Sequence, residues 1–572
     1  MNMIIGRRDV LALATGLAAS PLAGSGLDPD NAERNFQTLS DVFLQMGQTG
    51  RATIASGVYK LLKPLVIPPG VLDGGDVVLD FRGAQPRDFP GGACVLVRGK
   101  DKTALPNLAR DISVGARSFT FARPHGLSVG DVFQLSGTVD YAGNGYRAYY
   151  RKGEMFTVAR VIDKNIVETS AGCRDSYEAA GVACWKRLAS TFEQSCASLR
   201  VMAPDNIDYP IRFLGLDHSV VDNISADGGA VSAIDFTDCH DFSGRRIRAH
   251  QRSNIFDGYG ISICHCQSFQ LQGEVYGYFN GITTGGGPFG PPGMVGINRD
   301  IHFEGKGASD PAGGLAGAHF HGNTEYSSYR GVFVNGVTMA GNNNEAHGHF
   351  IGRSGQFAIQ LGEMHGHSFH ISGVVRTTGA ELRPQIGAIN MDDFGLHARY
   401  GGRAVIDVEL HAPNASRLIL WRTQNLLRKD VVLEFRRFDV VEAHPSNRFV
   451  ILSRVSGKDF PLIEFGKWNI IDNRRPITWS INPGTKLRGM DSSRTVTVKN
   501  ATQAIKRVIF DPAFPRTPKF MIAENSQSAG SAAVLASIVE ASENGVVVKL
   551  AAAGPSKRNI DTKISVRGFF DD

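Results

Sequence analysis

The sequence predicts an all-β chain wound as a parallel β-helix. Three observations predict it: short strands that close on glycine about once every thirty residues, a second family of short strands between them, and Gly- and Asn-rich turns. The first family is "HDFSG" ending at Gly244, "SFQLQG" at Gly273, "DIHFEG" at Gly305, "GVFVNG" at Gly336 and "SFHISG" at Gly373, with glycines 29, 32, 31 and 37 residues apart. The last four alternate apolar and polar residues, so Phe269/Leu271, Ile301/Phe303, Val332/Val334 and Phe369/Ile371 are expected to point inward. The second family is "YGISI" (259), "NGITT" (280), "GAHFHG" (317), "HGHFIG" (347), "IGAINM" (386), "RLILW" (417) and "RFVIL" (448). Such strands cannot bury an apolar side alone and do so by stacking on the next coil. A β-sandwich would space its strands nearer a dozen residues apart.

The elements follow in chain order. Residues 1–25 have the form of an export signal: Arg7 and Arg8 precede a short apolar stretch from Val10 to Ala19, and small residues follow at Ala23 to Ser25. The twin arginine followed by Asp-Val-Leu resembles a Tat signal, which implies export of an already folded chain to the periplasm or beyond. An ordinary Sec signal or a short anchor is the alternative. In residues 26–99, Phe36, Leu39, Val42, Phe43 and Met46 fall at helical spacing, as a helix plugging an open core end would need. The segment 35–83, with Gly57-Val58-Tyr59 and Ile67-Pro68-Pro69-Gly70, resembles the N-terminal cap and first coil of the pectate-lyase superfamily of right-handed β-helix proteins. Residues 100–200 read as a small β insertion and 201–490 as the β-helix proper. Residues 491–572 alternate again and resemble the β-sandwich-like modules that end phage tailspikes and some lectins.

Composition narrows the partners. Sixty-one Lys and Arg against 55 Asp and Glu give a net charge of +6, which suits an acidic partner. No basic run points to nucleic acid, and no apolar run would span a bilayer. Seven cysteines make an odd set. Cys173 with Cys184 is a candidate local bridge, whereas "CHC" at 264–266 is read as core and turn residues.

The superfamily resemblance implies binding or cutting of a polysaccharide along a groove on one sheet, and the residues must say where. "AHFHG" (318–322) and "AHGHF" (346–350) both alternate His with other residues. With Phe320 and Phe350 inward, His319, His321 and His349 would face out, His349 in register with His319 one coil away. Catalytic candidates are therefore His319, His321, His349, Glu325, Glu345 and Asp257. Candidates for holding substrate are Tyr276, Tyr278, Tyr326, Arg330, His347, Arg353, Asp392 and Asp393. His302 and His370, on the other strand family, are expected to lie off this groove.

β-Elimination of a uronate polymer needs a base at C5, a group neutralising the carboxylate and an acid for the leaving oxygen, roles that His, Arg or Asn, and Tyr can fill. Hydrolysis needs two carboxylates instead, for which Asp257, Glu325 and Glu345 are available. The polygalacturonase-like carboxylate pattern is absent: Asn254 and Asp257 resemble its first element loosely, and the Asp392-Asp393 pair follows the histidines. The expectation is thus an exported depolymerase of an acidic bacterial polysaccharide, lyase before glycoside hydrolase. A non-catalytic, tailspike-like glycan binder is the alternative of another class, and a homotrimer is compatible with either. His319, His321, His347 and His349 have same-face spacing for a transition ion, but the reading taken is a groove without metal or cofactor.

Overall fold

Alternation within each strand decides which side chains enter the core, and the turns decide where each strand folds back. In the computed structural model, residues 31–571 are described apart from 86–88, 141–149, 253–257, 286–295, 311–313, 354–355, 365–368, 381, 383–385, 393–399, 424–426, 445–447, 454–461, 471–477, 482–485, 499–502, 510–518, 528–533, 543–544 and 553–561. Thirteen strands, from Leu65–Ile67 to Thr478–Ile481, stack in parallel as one sheet. A longer sheet runs beside it, its strands Gln267–Gly277, Asn298–Ser309, Ser328–Val334, Glu345–Arg353 and Phe369–Thr378 pairing in parallel one after another. The expected inward pairs Phe269/Leu271, Ile301/Phe303 and Phe369/Ile371 lie at 3% exposure or less in one continuous core.

A glycine ladder bends the long strands. Gly305, Gly331, Gly348 and Gly373 stand opposite one another across the coils with φ between 134° and 144°. A Cβ on any of them would sit 1.8–1.9 Å from the carbonyl oxygen of the glycine one coil before. That combination of angle and crowding admits only glycine.

The ladder also corrects the repeat register. Gly331, not Gly336, is the equivalent of Gly305; Gly336, with φ 74°, sits in the turn before the strand Val337–Gly341. Val332 is therefore turned out at 36% exposure, and Phe333 takes the inward place. One coil spans only the residues between Gly331 and Gly348. It puts "HGHFIG" in the long sheet, while Val337–Gly341 supplies the second-sheet strand at that level.

The ends and the insertion complete the frame. The helix Ala32–Thr49 is capped by the Asn31 side chain accepting from the Arg34 N–H and ends at Gly50 with φ 76°. Leu39, Phe43 and Met46 are buried on the first coils, with Phe36 and Val42 partly buried beside them. Each fully buried side chain of this kind contributes about 1.5–3 kcal/mol.

Six strands between Thr103 and Arg187 form a separate sheet over its own aromatic core of Phe119, Phe121, Phe133 and Phe156. Two buried arginines fasten this domain to the coils. Arg187 pairs with Asp217 at 2.7 Å and Asp238 at 3.0 Å, and Arg299 pairs with Glu154 at 3.1 Å, Glu325 at 2.8 Å and Asp175. Phe192–Gln194 and Ser198–Met202 rejoin the helix on Gly70–Gly74 and Asp76–Asp80. The expected Cys173–Cys184 bridge is absent. Both thiols are free in the insertion's core, and Cys173 lies 3.3 Å from Glu154 Oε1.

At the C-terminus, Lys486–Val498 and Lys519–Gln527 flank Thr562–Asp571, and Gln503–Ile509 and Val534–Ser542 flank Gly545–Ala552, all antiparallel. Among the described residues no helix is long and apolar enough to cross a membrane. The export segment 1–25 lies outside the described residues.

Candidate functional site

The outward positions just before the glycine ladder stack into two parallel rows. The first row is Gln270, His302, Ser328, Glu345 and His370, and the second is Gln272, Glu304, Arg330, His347 and Ser372, each residue in register with the next. Between them the strands bury Leu271, Phe303, Tyr329, Ala346 and Ile371, so sheet alternation alone pushes the polar side chains outward. With parallel coils about 4.8 Å apart, each row is a ruler about 19 Å long, suited to a linear chain of repeating units. Above the rows lies a cavity of about 910 Å³, walled further by Arg245, Tyr326 and Asn343.

The groups in this groove are tied together. His302 is exposed to the cavity and its Nδ1 lies 2.8 Å from Ser328 Oγ. The groove walls desolvate its ring and lower its pKa, holding it neutral. His347 Nε2 lies 2.9 Å from Glu345 Oε2, and its Nδ1 lies 2.7 Å from Ser372 Oγ. The hydrogen bond with His347 holds the Glu345 carboxyl below its usual range. The His370 ring is 5.3 Å from that of His347, and its pKa is lowered by burial and then by the neighbouring imidazole. Tyr326 stands at the rim with the Arg174 guanidinium 4.3 Å from its ring, and Arg174 is itself paired with Asp300 at 2.8 Å. The insertion thus braces the rim through Arg174.

The structure separates the residues the sequence grouped. His319 and His321 lie on or beside the second-sheet strand Ala316–Phe320, where His319 is in register with Thr283 and Thr338, not His349. Their rings stack 4.2 Å apart. His319 is 8% exposed, and the insertion's Tyr150 hydroxyl lies 3.4 Å from His321 Nδ1. The expectation that they share a groove with His347 and His349 is therefore wrong, and the four-histidine metal reading falls with it. The cause is the short coil, which shifts one His pair into the other sheet.

Glu325 is buried against Arg299 and Asn342 rather than open to substrate. His349 and Arg353 are exposed beyond the Gly348 bend, outside the two rows. Tyr276 lies past Gly273, its hydroxyl donating to Asp310 at 2.9 Å, and Tyr278 is half-buried near it. Neither lines the groove. Asp257 and Asp393 lie outside the described residues; Asp392 ends the second-sheet strand Ile389–Asp392, its side chain undescribed. Of the expected residues, Glu345, His347, Tyr326 and Arg330 come together in or beside the groove. His302 and His370, expected off the site, stand in its first row. Their signal was present in the sequence as the polar positions of "DIHFEG" and "SFHISG", one residue type recurring at one repeat position.

Comparison with known proteins agrees with this architecture. The family model described as "Gp49, pectin lyase-like" matches residues 227–382, the span that carries both rows. Over that span the fold is pectin-lyase-like. Among solved structures, the tailspike gp61 of Pseudomonas phage phi297 superposes with a TM-score of 0.75 at 17% identity, covering 94% of this chain and 91% of that one. The tailspike gp49 of Pseudomonas phage LKA1 gives 0.75 at 18%, covering 94% and 92%. The gp54 tailspike of Acinetobacter baumannii bacteriophage AP22, solved in complex with A. baumannii capsular saccharide, gives 0.70 at 17%, covering 94% and 96%. At these identities the likeness to the tailspikes is one of fold. None of the curated proteins matches the chain.

Proposed function

We propose that this chain is an exported depolymerase that cuts an acidic bacterial polysaccharide by β-elimination in the two-row groove. The observation that carries the reading is a neutral imidazole, His302, beside the exposed guanidinium of Arg330 and the phenol of Tyr326 in one cavity. With Nδ1–H donating to Ser328, Nε2 of His302 keeps its lone pair and takes the C5 proton. Arg330 faces the uronate carboxylate and offsets the charge that builds up beside it. Tyr326 delivers a proton to the departing oxygen. The capsular saccharide bound by the AP22 tailspike supports a bacterial polysaccharide as the substrate class, and the net charge of +6 supports an anionic one.

Two carboxylates, Glu304 and Glu345, also line the groove and favour glycoside hydrolysis as the second reading. Incubating the chain with a panel of acidic and neutral bacterial polysaccharides separates the readings. New ultraviolet absorbance from an unsaturated uronate, rising with reducing ends, is expected. Reducing ends without absorbance would replace the lyase with a hydrolase, and binding without either would leave a glycan-binding protein. Export by the twin-arginine route and assembly as a trimer belong to the same proposal. Replacing Arg7 and Arg8 by Lys is expected to hold the chain in the cytoplasm, and sedimentation of the mature chain reports its assembly.

A further inference from the structure

Three side chains at the far end of the groove form a constellation that acid–base chemistry at His302 does not use. Glu345 and His370 are direct cross-strand partners on adjacent coils, and His347 is two residues from Glu345 on the same face. One ligand atom from each lies within 4.8 Å of the others, the one such group of three among the described residues. A tetrahedral ion bound at about 2.1 Å separates its ligand atoms by about 3.4 Å, so side-chain adjustment alone would close this set.

Two further details fit a metal. The Nδ1 of His347 is engaged by Ser372 Oγ at 2.7 Å, the outer hydrogen bond that orients a ligating imidazole, and Nε2 points at the Glu345 carboxylate. The Nε2 of His370 is buried and has no hydrogen-bond partner among the described residues. Burying a ring nitrogen unpaired is unfavourable, and a cation offers it a partner.

We infer that Glu345, His347 and His370 bind one divalent transition ion of the zinc class, with its open coordination position facing the groove. Two imidazoles and one carboxylate form a three-ligand set that leaves room for a fourth ligand and is too nitrogen-rich for calcium or magnesium. Glu345 and His370 line the cavity, and Arg330 is the cross-strand neighbour of His347. A bound ion would therefore stand beside the guanidinium and add positive charge where the substrate's carboxylate is held. That use rests on the proposed elimination; the binding does not.

The test is binding without polysaccharide. The chelator-stripped full chain is titrated with zinc chloride by calorimetry, and with cobalt(II), whose visible absorption reports tetrahedral coordination. One ion per chain with low-micromolar affinity or tighter is expected. His370→Ala, His347→Ala and Glu345→Gln should each weaken it at least tenfold, and Ser372→Ala, acting through His347, about 10–100-fold. His319→Ala, on the other sheet, should leave it unchanged, and thermal unfolding without metal verifies that each variant folds. No bound ion, or full binding in both His347→Ala and His370→Ala, would overturn the inference. A chain that binds zinc but cuts no glycan would keep the metal site and sink the depolymerase reading instead.

Discussion

At the residue scale, the proposed elimination turns on which histidine is neutral and open. His302 is both: desolvation by the groove walls lowers its pKa, and Ser328 holds its Nδ1. A base must be unprotonated to act, so activity should persist as pH falls below 6.5 and fail only when His302 itself takes a proton. The acid limb of kcat/KM on a uronate polymer is expected below the ordinary imidazole range; a limb at or above pH 6.5 would remove His302 from the role. His302→Gln should lower kcat by about 10²–10⁴-fold with little change in KM. His349→Ala, beyond the glycine bend, should change neither.

At the element scale, the glycine ladder holds the two rows in line. Gly331→Ala would put a methyl group 1.8 Å from the Gly305 carbonyl oxygen at a φ of 137°, so either the coil spacing or the bend must yield. A loss of about 2 kcal/mol or more in urea-induced unfolding is expected. Gly126→Ala, with φ 62° and nothing within 4 Å of its added Cβ, should cost about 1–2 kcal/mol from the left-handed backbone alone, and less than Gly331→Ala. Equal midpoints for the two variants would show that the ladder does not constrain the coil.

The same element explains what the sequence could reveal. Period-two alternation made the strands and most inward residues legible, because burial writes directly onto residue type: Phe269, Leu271, Ile301 and Phe303 sit where the pattern puts them. The site was half legible. Glu345, His347, Arg330 and Tyr326 were singled out, but on the assumption that every coil has the same length. The short coil between Gly331 and Gly348 breaks that assumption, and a one-strand error in register assigns His347 and His349 to the second sheet beside His319 and leaves His302 and His370 unrecognised. Coil length is set by turns, whose residues carry no periodic signal. The burial of Glu325 by Arg299 depends on a contact with the insertion, more than a hundred residues distant, which no local pattern encodes.

At the scale of the whole molecule, buried charge fastens the insertion to the coils and makes the assembly sensitive to acid. Arg299→Met would leave Glu154 and Glu325 buried without their common cation, and a loss of about 3–5 kcal/mol is expected. Near the other anchor, His240 is 6% exposed, and its ring is 5.8 Å from that of His218. Burial first, and then the positive field of Arg187 and His218, against a smaller opposing pull from Asp241, lower its pKa to about 3. The unfolded chain protonates this imidazole near pH 6.5, whereas the folded chain resists until about pH 3. Between those values the unfolded state binds the extra proton, so stability falls as pH falls and is restored above 6.5. By pH 5 the contribution from this one group is about 2 kcal/mol. Unfolding midpoints measured from pH 7.5 to 4 should therefore decline, and His240→Gln, which carries no titrating ring, should decline less steeply over the same interval. Parallel slopes for the two proteins would place the acid sensitivity elsewhere, with the carboxylates around Arg187 and Arg299 as the next groups to replace.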